Sequence, residues 1–147
     1  MLKNITKKEG GFTLLELLIV IVIIGILALL IIPNITSAPK KARDTDRKTA
    51  LGAIQKGLEE YFISNNSYPT DANWQTDLSA GTTPIIKTIP VDPKNNGVYV
   101  YTYDEGTPVG GFTLKACLEN SGDNGKNVTN DATCTGASKA FTLLNNN

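Results

Sequence analysis

The 147-residue sequence predicts an α+β fold: a long N-terminal helix, its first half transmembrane, whose second half packs on a small antiparallel sheet. Three observations carry this. From Phe12 to Ile32 the chain is apolar apart from one charged side chain, Glu16. Leu51, Ile54, Leu58 and Tyr61 then recur at spacings of three and four, the stripe of an amphipathic helix. After residue 97, short runs of β-branched and aromatic residues are separated by Gly- and Asn-rich turns, the pattern of strands.

The first segment, 12–33, reads as a membrane span, because about 20 apolar residues at a rise of 1.5 Å cross a bilayer as a helix. Glu16 is its anomaly. A charge in that setting costs at least a few kcal/mol unless it is paired. The run holds no cation, and Lys7 and Lys8 lie more than a turn away, before two glycines. A partner for the charge has to come from elsewhere. A cleaved secretory signal would explain a basic start and an apolar stretch, but this run is longer than usual and carries a carboxylate. Its nearest small-residue site, 36–38, is followed by Pro39. A plain membrane anchor leaves Glu16 unexplained.

Residues 34–63 continue the helix, giving about 50 residues from Thr13, with Pro33 and Pro39 as bends. The segment 64–97 reads as a long connection, punctuated by Pro69, Pro84, Pro90 and Pro93 and holding the single tryptophan, Trp74. Loops of that length are usually functional or braced, and Trp74 with Leu78 is read as plugging the rim of the core. Residues 98–147 supply the sheet. "VYVYTY" at 98–103 is one strand; "GFTLKACL" at 111–118 is a second, with Phe112, Leu114, Ala116 and Leu118 on one face. "KAFTLL" at 139–144 is a third. The row Tyr99, Tyr101, Tyr103 on one strand face is read as sheet packing rather than a platform for sugars or bases.

Cys117 and Cys134 are the only cysteines, and both follow the span. In an oxidising exterior they form a bridge around 16 residues, worth about 3 kcal/mol in the loop-entropy picture. On the strand reading Cys117 points away from Phe112 and Leu114, which would pin that loop over the outer face. Inside it, Asn120, Gly122, Asn124, Gly125 and Asp131 fall at positions 1, 3, 5, 6 and 12 of an EF-hand-like register. The match is incomplete, since positions 1 and 3 usually carry carboxylates. Asn120, Asn124 and Asp131 are therefore weak calcium candidates that otherwise read as turn formers.

Composition excludes several function classes. Lys plus Arg and Asp plus Glu both number 14, which leaves no basic surplus for nucleic acid. The chain has no histidine, no phosphate loop and no nucleophile beside a base, so catalysis has no foothold and no cofactor is expected.

The string Gly11-Phe12-Thr13-Leu14-Leu15-Glu16, after a short basic leader and before an unbroken apolar helix, resembles the class III signal of type IV prepilins and pseudopilins. The resemblance implies a pilin fold and a leader spanning 1–11. It implies a prepilin peptidase that cuts between Gly11 and Phe12 on the cytoplasmic side and methylates the new amino terminus of Phe12. It also supplies a partner for Glu16, the positive amino terminus of a neighbouring subunit, so that the carboxylate registers subunits in a filament. Charges buried among apolar helices are tolerated only when paired. Gly25 falls where such helices loosen on assembly and Pro33 where they bend. Against this, Gly is common in membrane helices and Pro33 also marks where the helix leaves lipid.

The stretch 42–70, with its "YP" exit, is similar to the helix continuation of major pseudopilins and bacterial pilins. The segment 64–97 corresponds to their αβ-loop and the cysteine-bounded loop to their D-region. The implied role is a structural subunit of a type IV pilus-like filament, lodged in the inner membrane as a precursor and extracellular or periplasmic after assembly. Its partners are copies of itself, an inner-membrane assembly platform, and lipid before assembly. The alternatives are a major pseudopilin of a type II secretion system, a DNA-uptake or adhesive pilin, and a non-polymerising anchored domain. Glu16 favours a shaft subunit, since the tip-initiating pseudopilin often lacks it. Loss of the leader leaves 11 basic against 13 acidic side chains, a net −2.

One feature conflicts with that topology. Lys3, Lys7 and Lys8 precede the span, but Lys40, Lys41, Arg43, Arg47 and Lys48 follow it, and a count of Lys and Arg favours the opposite orientation. The leader motif outweighs the count, because the later cations are interleaved with Asp44 and Asp46.

Overall fold

The computed structural model describes residues 11–106, 110–136 and 138–145. The leader positions 1–10, with Lys3, Lys7 and Lys8, lie outside the described residues. Helix α1 spans Leu14–Asn65, 52 residues, and is helical through Gly25, Pro33 and Pro39. The chain divides after Ser37 into two compact units.

In the first unit α1 exposes apolar side chains on every side, from Leu14 through Ile32. It is long and apolar enough to cross a membrane. A helix that is hydrophobic all round has to be buried by something outside its own chain.

In the second unit Leu51, Ile54 and Leu58 of α1 are fully buried and Tyr61 is packed against them, as the spacing predicts. The helix ends two residues later than the expected 63. Asn66 takes the left-handed conformation (φ 55°) that closes helices, its N–H bonding the Phe62 carbonyl at 2.7 Å. The strands β1 (Thr102–Glu105), β2 (Phe112–Cys117), β3 (Val128–Asn130) and β4 (Lys139–Asn145) form one antiparallel sheet in the order β1-β2-β4-β3. Leu114 faces Leu143 and Ala116 faces Phe141 across the central pair. Phe112, Leu114, Ala116 and Leu118 are all buried and form one cluster with the α1 stripe. Tyr68 joins its two sides, stacking on Phe62 at 4.7 Å and meeting Phe112 edge-on at 4.9 Å.

The long connection, expected to be loop throughout, is braced by helix α2 (Trp74–Ser79). Trp74 and Leu78 are buried in the main core, as expected of a plug. Further along, Ile86 lies on α1 at Gly57. A Cβ at that glycine would sit 2.5 Å from Ile86 Cδ1, so the absence of a side chain admits the connection.

The expected strand at 98–103 is displaced. Asn95 and Gly97 adopt left-handed backbone (φ 46° and 55°), and an isolated bridge between Asn96 and Tyr99 closes a tight turn there. Pairing begins only at Thr102. Tyr101 and Tyr103 both pack on the main core, the packing expected of the row, and Tyr99 stands before the paired residues. Tyr99 lies against Arg47 and Lys94, the guanidinium carbon 4.7 Å and the ammonium 4.5 Å from the ring centroid. Tyr103 enters the core and donates its hydroxyl to the Pro69 carbonyl at 2.8 Å. The fourth strand, β3, falls inside the cysteine-bounded loop, where three residues among turn formers gave no alternating signal.

Candidate functional site

At the N-terminus Gly11, Phe12 and Thr13 precede the helix, and Phe12 is 88% exposed. Thr13 and Glu16 form a reciprocal cap. The Glu16 N–H donates to Thr13 Oγ1 at 3.2 Å, while Thr13 N–H and its hydroxyl both donate to Glu16 Oε2 at 2.9 Å. Such a box satisfies two amides that the first helical turn otherwise leaves unpaired. Glu16 therefore has a partner inside its own chain, contrary to the expectation that one must come from elsewhere. That partner is neutral, and among the described residues no cation pairs with the carboxylate, which stands on an exposed apolar surface.

Beyond the span, the structure pairs three of the five cations internally. Arg47 is completely buried and donates through Nε and Nη2 to the two oxygens of Asp92, at 2.6 and 2.9 Å. Its Nη1 reaches Asp44 and Glu119, each at 2.8 Å. Arg43 makes a second fork onto Glu119, two bonds of 2.7 Å, and Lys94 adds a contact at 2.8 Å. Asp44 in turn accepts the backbone N–H of Glu119 and of Asn120. Three cations thus meet three carboxylates, drawn from α1, the end of the long connection and the start of the cysteine-bounded loop. Arg43 holds Glu119 well below the usual carboxylate range, with Lys94 and Arg47 acting in the same direction against the cost of burial. Lys48 pairs with Asp123 at 2.5 Å. Arg43, Arg47 and Lys48 are thus committed to carboxylates inside the second unit, but pairing in the folded domain leaves the Lys and Arg count, and its conflict with the leader orientation, unchanged.

The sequence reading missed this network. Its one visible trace was the "ARDTDRK" alternation itself, which places Asp44 and Arg47 one turn apart. Asp92 and Glu119 carry no local sign of their role.

Cys117 and Cys134 form the expected disulfide. Both cysteines are covered, Cys117 7% and Cys134 0% exposed, in a second small cluster with Ala140, Val98 and Tyr99 that is separate from the core holding Phe112 and Leu114. The displaced turn at 96–99 supplies that cover. Around the loop, Asp131 accepts from Lys115 Nζ at 2.9 Å and from the Thr133 hydroxyl and N–H. Asn124 accepts from Lys139 at 3.0 Å, and the Asn120 side chain accepts from Gly122 N–H. Thr133, then Lys115, lowers the Asp131 carboxyl to about 2. Among the described residues no group of three or more His, Cys, Asp or Glu is arranged to hold a metal ion.

Comparison with known proteins places this geometry. Residues 6–32 match the family described as the prokaryotic N-terminal methylation motif. The chain is 34% identical to type II secretion system core protein G of Vibrio cholerae over 128 residues, 80% of this chain and 87% of that protein. It is 36% identical to core protein G of Escherichia coli over 62% of this chain and 70% of that one. It is 45% identical to a type IV wide pilus major component of Thermus thermophilus over 53% of this chain and 60% of that one. No solved structure matches significantly. The methylation motif on an apolar helix, the helix laid on an antiparallel sheet, and a relationship to core protein G over nearly all its length lead to one conclusion: the chain belongs to the family of type IV pilins and type II secretion pseudopilins, structural subunits rather than enzymes.

Proposed function

We propose that this protein is the shaft-forming subunit of a secretion-type pseudopilus. It is inserted in the inner membrane as a precursor, cut between Gly11 and Phe12, N-methylated at Phe12, and polymerised through the first half of α1. The observation that carries the proposal is a helix apolar on every side with one carboxylate, Glu16, that is capped by Thr13 and has no cation partner among the described residues. In lipid the apolar surface is satisfied, and on leaving lipid it has to be covered by copies of itself. Glu16 is then held at the first turn by Thr13, where it meets the positive amino terminus of a neighbour's Phe12. Ion pairs among apolar helices are strongly penalised when one partner is missing, which makes the pair a test of register. Gly25 and Pro33 are the positions at which α1 adjusts on assembly. The function requires no cofactor, and the loop around Asn120, Asn124 and Asp131 is held by protein donors.

The secretion assignment is supported by relatives named core protein G that match along the second unit as well as the first. The runner-up, a type IV pilus subunit, is supported by the Thermus pilus component, with higher identity over a shorter stretch. Electron microscopy of sheared fibres, with mass spectrometry of their main component, tests the proposal. The expected result is fibres built of a chain that begins at methylated Phe12, with Gly11→Val blocking maturation. Fibres that retain the leader, or a chain that makes none, would overturn it. Deleting the gene separates the two systems: loss of exported proteins from the medium marks secretion, and loss of surface fibres alone marks a pilus.

A further inference from the structure

We infer that the exposed side of α1 in the second unit docks a second copy of the chain in parallel, Lys40 and Lys41 of one copy meeting Glu59 and Glu60 of the next. This rests on the filament reading above and specifies one of its contacts.

The inference comes from what the fold leaves unused. Of the five cations after the apolar run, Arg43, Arg47 and Lys48 are committed to carboxylates within the second unit. Lys40 and Lys41 are exposed and make no ion pair among the described residues. Asp44, one turn from Lys40, is not available to it: Arg47 and the Glu119 N–H take one oxygen and the Asn120 N–H the other. At the far end Glu60 is exposed and Glu59 partly so, and neither carboxylate has a cation among the described residues. Lys56 lies one turn before Glu60 without pairing, in the Lys-before-Glu order that is the weaker arrangement on a helix.

The two ends are in register. Lys40 to Glu59 and Lys41 to Glu60 are both separations of 19 residues, about 29 Å along the axis at 1.5 Å per residue. One displacement of about that length brings the two lysines of one copy level with the two glutamates of the next. The exposed surface between them suits close approach. Thr45 and Thr49 turn their hydroxyls back onto their own helix, to the carbonyls of Lys41 at 2.9 Å and Thr45 at 3.0 Å, so a neighbour meets methyl groups rather than unpaired donors. An antiparallel two-fold pair would match the same charges in a closed dimer. Chains inserted through one signal enter the membrane in the same sense and meet in parallel. A head-to-tail contact of unlike patches then repeats without closing, as a filament needs.

The test uses the full-length chain in its host. Lys40→Glu with Lys41→Glu, and separately Glu59→Lys with Glu60→Lys, should each lower the yield of sheared fibres about fivefold or more, because attraction becomes repulsion at two pairs per contact. Combining all four should restore the yield. Membrane level, leader cleavage and the Cys117–Cys134 bridge should be unchanged throughout. Independently, Lys41→Cys with Glu60→Cys in one chain should give a ladder of multimers with a bis-maleimide. Wild-type yield from both charge-reversed chains, no recovery on combining them, or no ladder would overturn the inference and leave the filament reading standing. So would a fall in membrane level from the lysine changes that is insensitive to Glu59 and Glu60, which would assign Lys40 and Lys41 to anionic lipid headgroups. A wild-type chain that makes no fibres would take down both readings.

Discussion

The Arg47 guanidinium lies in a two-bond fork on the Asp92 carboxylate, Nε to Oδ2 at 2.6 Å and Nη2 to Oδ1 at 2.9 Å, with both side chains fully buried. The two residues are 45 positions apart, so the contact ties α1 to the end of the long connection. Breaking one side of such a pair strands the other. Arg47→Ala should therefore cost about 3–5 kcal/mol, because Asp44, Asp92 and Glu119 lose a shared cation in a buried setting. Arg47→Lys keeps the charge but not the planar fork, and should also destabilise. Trp74, the only tryptophan and itself buried in the core, reports unfolding of the second unit by fluorescence. A denaturant midpoint equal to wild type for Arg47→Ala would contradict the network's role.

Two carboxylates, Glu119 of this network and Asp131 of the cysteine-bounded loop, predict an acid limit. Glu119 and Asp131 are both held below their ordinary values, the first chiefly by Arg43 and the second, at about 2, chiefly by Thr133. A depressed carboxyl stabilises the fold above its unfolded value of about 4, and that contribution is lost as pH falls through the folded value. The Trp74 transition should hold steady from neutrality to about pH 5 and fall steeply between about pH 4.5 and 2. Glu119→Gln should flatten that fall. A midpoint independent of pH across the window would refute the assignment.

Two neighbouring tyrosines should respond in opposite directions. The Tyr101 hydroxyl is buried without a hydrogen-bond partner among the described residues, and burial pushes its pKa up to about 12. The Tyr103 hydroxyl is bonded to the Pro69 carbonyl. Tyr101→Phe should be neutral or raise stability by up to about 1 kcal/mol, whereas Tyr103→Phe should lower it by about 1 kcal/mol. Equal losses from both would mean that the Tyr101 hydroxyl is satisfied in solution.

The disulfide closes a loop of 16 residues with both sulfurs buried. Alkylation without reductant should label neither cysteine. Cys117→Ser should cost about 3 kcal/mol in the loop-entropy picture, read as a lower melting temperature. Full labelling of both thiols in exported material would rule the bridge out.

Glu16 carries two separable properties, a cap and a charge. Glu16→Gln keeps an acceptor for the Thr13 N–H and removes the charge, while Glu16→Leu removes both. If the charge registers subunits, both variants should insert and be cleaved normally yet fail to give fibres. If capping is what matters, Glu16→Gln should assemble and Glu16→Leu should not. Normal fibres from both would show that neither property is needed. The readout is membrane level, leader cleavage and sheared fibres, compared side by side.

Local pattern reached a long way into this protein. The apolar run, the prepilin signal, the Leu51 stripe, the β2 face and the cysteine pair are each written in consecutive or periodic residues, because helices, strands and peptidase signals read neighbours along the chain. The cap between Thr13 and Glu16 is legible by the same logic, at the spacing of a capping box. What local pattern could not reach is set by residues far apart in the chain. "VYVYTY" alternates like a strand, yet Arg47 and Lys94 hold Tyr99 and a left-handed turn at Asn95 and Gly97 delays pairing to Thr102. The cations after the span read as free charges in the sequence, but Asp92, Glu119 and Asp123 arrive from 45 to 76 positions away to pair with three of them. A buried charge is tolerated only where opposite charges and hydrogen bonds surround it. That condition depends on tertiary packing, so the sequence alone identified the family's helix and its assembly signal, and only the folded domain decided which of its charges remain free to meet another subunit.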